Sequence, residues 1–171
     1  MGALKSRKPA LDAPCEANGY LQNHVRRLLA SLLHWTGRSL IEPSVTITEQ
    51  AHRLFFAPFV VLSHNTDADP LLNYANQAGL RLFGMTWDEM IRTPSRLTAE
   101  PAHRAERTRL LATVSSKGYI DDYRGVRISK TGRRFMIDRA TVWNLIDDHG
   151  APYGQAATFS EWKFLDGESG T

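Results

Sequence analysis

The chain has 171 residues, 42% of them hydrophobic, four Trp and a formal net charge of +3. That length and apolar content exclude a disordered chain and suffice for one domain with a real core. One cysteine, Cys15, excludes an intrachain disulfide and a cysteine-based metal centre.

The mild basic excess sits in Lys5, Arg7 and Lys8 and around Arg104, Arg107 and Arg109. The second group reads as a solvated helix face, with nucleic-acid contact as the alternative. Basic residues open the chain with no apolar segment behind them, so no signal peptide is expected. No run of about 18 apolar residues occurs, so no membrane-spanning helix is expected either. Together with the lone cysteine, this points to a reducing, cytoplasmic setting.

Residues 1–17 carry Pro9, Pro14 and charge without periodicity, and read as a flexible tail. Asn18 is a candidate N-cap for a helix reaching about Arg38. Along it Leu21, Val25, Leu28, Leu29, Leu32 and Leu33 form one apolar stripe at helical spacing. Such a stripe suits packing on the chain's own domain or pairing with a second copy, and both stay open. Gly37 and Pro43 bracket a connector that runs to residue 46. A second helix is expected from Thr48 to before Pro58. Phe59–Ser63 reads as a buried strand, His64–Pro70 as a turn, and Leu71–Tyr74 as a second strand.

A corner follows. Asn76–Phe83 reads as a helix stopped by Gly84, which has no Cβ to oppose a left-handed terminator. Thr86-Trp87-Asp88-Glu89 is a capping box that starts the next helix. After a loop at Thr93–Arg96, Pro101 opens a helix to about Ser116, with Ala105, Leu111 and Val114 inward. Three strands complete the chain: Tyr119–Ser129, Arg134–Ile146 and Tyr153–Phe164. They are joined by turns at Lys130-Thr131-Gly132 and Asp147-Asp148-His149-Gly150. Regular alternation in the middle strand puts Phe135, Ile137, Thr141, Trp143 and Leu145 on one face. Residues 166–171 form a second tail. Helices first and hairpin strands last suggest an α+β fold, an antiparallel sheet with helices on one face.

The string NYANQAGLRLFGMTWDEM resembles the PAS-domain segment in which a strand, a Leu-Phe-Gly helix end and a Thr/Ser-x-x-Glu box follow one another. VRISKTGRRFMIDRATVWNLIDDHGAPYGQAATFSEW resembles the C-terminal hairpins of that fold. FFAPFVVLSHNTDADP and the ATVWNLIDDHG…ATFSEWKF ending resemble, more narrowly, the MEKHLA domain, a PAS-like domain. It is found alone in bacterial proteins and at the C-terminus of plant class III homeodomain–leucine zipper proteins. The resemblance implies a five-stranded antiparallel sheet of order 2-1-5-4-3 over residues 47–165. The sheet cups a small pocket, and residues 18–46 add an N-terminal helix and connector.

The function so implied is a sensory or protein-interaction module without catalytic activity, able to hold an unidentified small molecule in its cup. A homodimer through the N-terminal helix is the expected assembly. The alternative is an accessory transcriptional regulator acting through protein or nucleic-acid contacts. No homeodomain or zipper occurs in this chain, so DNA binding is not carried over and nucleic acid is not an expected partner.

Flavin photochemistry of the light-oxygen-voltage type needs a cysteine where Pro94-Ser95-Arg96-Leu97 has Ser95. The polar positions of those domains fall here on Arg127, Ile137 and Phe159. His103 stands near the haem-ligand position of haem-binding PAS domains but reads as solvated. His64 with Asp67 and Asp69 reads as turn chemistry in preference to a metal cluster. No Gly-rich phosphate loop, nucleophile elbow or Cys/His pair appears, which leaves no basis for an enzyme. The cofactor is left unknown. The pocket candidates are Asn73, Arg127, Trp143, Asn144 and Gln155. Trp143 and Asn144 point to opposite faces of a regular strand, so only one of the two can serve.

Overall fold

The computed structural model describes residues 12–165. The sequence-predicted tails therefore lie outside the described residues, except for 12–17.

The chain enters through a 3-10 turn, Glu16–Leu21, and only then forms α1 (Gln22–Thr36). The helix start expected at Asn18 is thus displaced. Gly19, Tyr20 and Leu21 have φ of 62°, 55° and 57°, a left-handed run that no α-helix continues through. Asn18 instead braces the turn, accepting from the Cys15 amide at 3.0 Å and donating to the Ala13 carbonyl at 2.9 Å. The unfavourable backbone at Tyr20 is offset by its ring, which meets His52 edge-on at 4.7 Å and Phe56 at 6.0 Å. Those partners lie on or just beyond α2 (Ile47–Phe55), which is capped by Thr46 and so begins slightly before the expected Thr48.

The corner is as the sequence predicts. Asn76 caps α3 (Gln77–Phe83), Gly84 ends it at φ 66°, and Thr86 and Glu89 form the reciprocal capping box of α4 (Trp87–Met90). Lys130 of the later hairpin pairs with the Glu89 carboxylate and pins the corner to the sheet. Two short 3-10 turns, Ser95–Thr98 and Pro101–His103, lead to α5 (Arg104–Lys117).

The strands are β1 (Val60–His64), β2 (Leu72–Ala75), β3 (Tyr119–Ile128), β4 (Arg134–Ile146), β5 (Pro152–Phe159) and β6 (Glu161–Phe164). They form one antiparallel sheet of order β2-β1-β5-β4-β3. The last strand, expected as one piece, breaks at Ser160. β5 opposes residues 141–146 of β4, and β6 opposes residues 135–138. Both halves run along the same flank of β4, so the five positions in the expected order are kept.

α1 covers one face of the sheet: Val25, Leu28, Leu29 and Leu32 pack with Val61, Trp143 and Leu145. Most of the predicted apolar stripe is therefore used within the chain, and Leu33 stays exposed. On the other face α3 packs Leu82 and Phe83 against Phe135, Ile137 and Ala140, and α5 packs Leu110 and Val114 against Val142. Consequently Phe135 and Ile137 do not share a face with Trp143 and Leu145. The cause is a pair of facing bulges, at Asp122 (φ 57°) and Arg139 (φ 51°), where the β3–β4 register slips. An extra residue in a strand with a two-residue period exchanges its two faces.

Candidate functional site

Between the sheet and α5 lies a cavity of about 60 Å³. His64 enters it from β1, Arg127 from β3, Gln155 from β5 and Arg107 from α5, with Ser95 and Thr98 closing one side. Leu62, Leu110, Leu111, Val142 and Ala157 supply the apolar wall.

Arg107 donates to the Ser95 hydroxyl at 2.9 Å. Arg127 donates to its neighbour's carbonyl, that of Val126, at 2.8 Å, and to the Tyr123 hydroxyl at 3.2 Å. Only 9% of Arg127 is exposed. Gly125 permits that arrangement, because a Cβ there would stand 2.3 Å from the Tyr123 hydroxyl oxygen. No acidic side chain lines the cavity, and among the described residues neither guanidinium has a carboxylate partner. Burial, then the neighbouring charge of Arg127, lowers the Arg107 pKa to about 10.

His64 holds the Asn65 carbonyl through Nδ1 at 2.9 Å, so Nδ1 carries the proton. Its Nε2 is buried and has no hydrogen-bond partner. Burial lowers its pKa, the bond to Asn65 opposes that, Arg107 lowers it further, and the nearby Gln155 side chain raises it. The two hydrogens of Gln155 Nε2 are shared among the Leu111 carbonyl, the Ser115 hydroxyl and Asn144 Oδ1, at 3.2, 3.1 and 3.0 Å. These bonds tie β5 and β4 to α5.

Of the sequence candidates, Arg127 and Gln155 line the cavity. Asn144 adjoins it through Gln155 and otherwise caps α5, donating to the Val114 carbonyl at 2.9 Å. Trp143 points the other way, fully buried beneath α1, with Nε1 donating to the Leu28 carbonyl at 3.2 Å. Asn73 is also outside the cup. It accepts from Ser63 at 2.6 Å and faces a hollow of about 310 Å³ beside α1, shared with His24, Arg27 and Tyr153.

Sequence reasoning missed Arg107, which reads as part of a solvated face with Arg104 and Arg109. Its spacing to Leu110, Leu111 and Val114 is that of one helical stripe, and this was the signal available. It also missed His64, which belongs to a strand and not to the turn after it. Of its supposed companions, Asp69 pairs with Arg96 at 3.1 Å and the Asp67 amide bonds to Asn65.

An antiparallel sheet of this order, cupped by short helices and one longer helix, is the PAS-like fold. Three solved structures share it at low identity. The PAS domain of a protein from Colwellia psychrerythraea matches with a TM-score of 0.58 and 12% identity, covering 70% of this chain and 96% of that one. An RNA-binding light-oxygen-voltage receptor matches at 0.55 and 16% identity, over 70% of this chain and 33% of that one. A light-oxygen-voltage domain studied with a flavin analogue matches at 0.54 and 17% identity, over 68% and 84%.

The chain belongs to the MEKHLA domain family, whose model matches residues 22–164. Two curated relatives are the Arabidopsis thaliana homeobox-leucine zipper proteins ATHB-9 and ATHB-14. They are 29% and 27% identical over 103 residues, 60% of this chain. The match spans 12% of the length of each relative.

Proposed function

We propose that the chain is a non-catalytic, cytoplasmic sensory or interaction module whose cup holds a small molecule, and that it works as a homodimer. The observation that carries this reading is the polar-lined cavity between the sheet and α5, in a domain of the PAS-like fold. Buried polar groups are normally satisfied, and His64 Nε2 at the cavity is not, which suits a guest that completes the set. Small-molecule sites combine an apolar wall with a few directed polar groups, as this one does. At about 60 Å³ the space is far below the ~300–1,000 Å³ of pockets for drug-sized ligands, which favours a guest of few atoms.

For the dimer, α1 keeps Leu33, 51% exposed, as the apolar residue a second copy would meet. The relatives named as homeobox-leucine zipper proteins favour the second reading, an accessory transcriptional regulator acting through protein or nucleic-acid contacts.

Native mass spectrometry of protein purified from its own host reports ligand and assembly together. A dimer carrying a small molecule supports the proposal, and a ligand-free monomer sinks it. A dimer unaffected by Leu33→Glu removes the α1 contact. Nucleic-acid binding that is absent even at low salt, where phosphate contacts are strongest, removes the second reading's nucleic-acid arm.

A further inference from the structure

We infer that the cup is a receptor for a compact oxyanion, a carboxylate or phosphate group of a small metabolite, held between Arg107 and Arg127. This rests on the cup being the ligand site proposed above and names the chemistry of its ligand.

Two guanidinium groups from different elements, α5 and β3, line one small cavity without a carboxylate to neutralise them. Removing positive charge from water without a counter-charge is costly, and folds normally avoid it or pair it. Here the acceptors are two hydroxyls and a carbonyl, which leave both net charges in place. Other arginines show the usual solution: Arg38 pairs with Asp121 at 2.8 Å, Arg53 with Glu49 at 2.9 Å and Arg96 with Asp69 at 3.1 Å. Those three pairs are about half exposed, whereas Arg107 and Arg127 meet in one small cavity that no carboxylate lines.

The remaining groups agree. Guanidinium presents a planar fork of donors that matches carboxylate and phosphate oxygens. Ser95, 2% exposed, adds a hydroxyl whose proton is free beside Arg107, while that of Thr98 is given to the Ser95 carbonyl at 2.8 Å. His64 Nε2, an acceptor in the neutral ring, faces the same space and becomes a donor to an anion there when the ring takes up a proton. A cavity of about 60 Å³ selects a guest of a few non-hydrogen atoms, or the charged end of a slightly longer one.

The test uses the full chain, exchanged into a zwitterionic buffer free of small oxyanions, and titrates inorganic phosphate, sulfate, acetate and malonate. Calorimetry and thermal unfolding are read together. The expected result is saturable one-site binding of at least one probe, a melting temperature that rises with its concentration, and competition between phosphate and carboxylate probes. Arg107→Gln and Arg127→Gln should each weaken binding by about tenfold or more, the loss expected for a hydrogen bond to a charged group. Both variants should still unfold cooperatively in the absence of anion, because the hydrogen bonds each gives up, to Ser95 or to Val126 and Tyr123, are offset by removing a charge that has no counter-charge. That separates lost binding from lost folding.

No saturable binding of any probe to a folded parent chain overturns the inference, as does binding that both variants retain in full. A neutral ligand found in the cup by native mass spectrometry also overturns it, while leaving the module reading intact. An empty cup that takes neither anion nor neutral guest removes both.

Discussion

His24 Nε2 lies 2.9 Å from Ser63 Oγ, and that contact decides how α1 is fastened to the sheet. Ser63 gives its own proton to Asn73 Oδ1 at 2.6 Å, so the hydrogen between His24 and Ser63 must come from the imidazole. Nε2 therefore carries the proton and Nδ1 accepts from the Tyr153 hydroxyl at 3.2 Å. The chain Tyr153 to His24 to Ser63 to Asn73 runs in one direction and requires a neutral ring.

Stability should consequently depend on pH through this residue. Burial, with Arg27 adding to it, lowers the His24 pKa from 6.5 to about 4. The unfolded chain takes up the proton first, so the contribution is fully present above pH 6.5 and is lost as pH falls towards 4. The shift corresponds to roughly 3 kcal/mol. Urea unfolding of the parent and of His24→Gln at pH 7.5 and pH 4.5 checks it: the parent should lose that much more stability than the variant. Equal losses would show that His24 does not titrate in this way.

Asn76 should be among the costliest polar residues to replace. Fully buried, it accepts from the amides of Val61 at 3.0 Å and Gly79 at 3.1 Å. It donates to the carbonyls of Leu54 at 3.1 Å and Phe59 at 2.7 Å. One side chain thus joins the end of α2, strand β1 and the start of α3. Asn76→Ala removes a helix cap and strips buried amides and carbonyls of partners, a loss of about 3 kcal/mol or more. Equilibrium denaturation with an unchanged slope would confirm it, and a loss under about 1 kcal/mol would contradict it.

Tyr74 presents the opposite case. It is fully buried, its hydroxyl has no hydrogen-bond partner, and burial drives its pKa upward. Tyr74→Phe removes an unsatisfied polar atom while keeping the ring that packs against Trp87 at 6.1 Å. The variant should be as stable as the parent or more so, by about 1 kcal/mol. A clear loss of stability in the same denaturation series would show that the hydroxyl has a partner in solution.

Most of the fold was legible because its signals are local. The corner at Asn76–Glu89 is written in capping residues and a terminal glycine, whose effects reach one helical turn. The sheet order followed from resemblance, since strand order has no local signature. What failed were features set by tertiary geometry. The bulges at Asp122 and Arg139 leave no mark in the residue types, yet they exchange the faces of β4 and so reverse the setting of Phe135 and Ile137. Trp143 and Asn73 were misplaced because alternation says which residues share a face, and not which face meets α5. Arg107 was lost because a charged residue within an apolar stripe is read as solvent-facing unless the opposing wall is known.

That wall also bears on how oxyanion binding should respond to pH. Three groups face His64: the Asn65 carbonyl that holds Nδ1, the charge of Arg107, and Gln155. With the cup empty, burial and Arg107 keep the ring below its ordinary pKa of 6.5 and hence neutral. A bound anion offsets Arg107 and offers Nε2 an acceptor, so the protonated ring gains on binding and its pKa rises. A group whose pKa rises on binding takes up a proton with the ligand. Sulfate, whose charge is constant in this range, should therefore bind more tightly as pH falls from 8 to 5.5. A gain of about one pKa unit on binding corresponds to about tenfold in affinity. Calorimetry in buffers of different ionisation enthalpy should show net proton uptake near pH 6, and His64→Gln should abolish both the uptake and the slope. Sulfate affinity that is flat with pH in the parent would remove His64 from the site while leaving the arginine pair to be judged on its own variants.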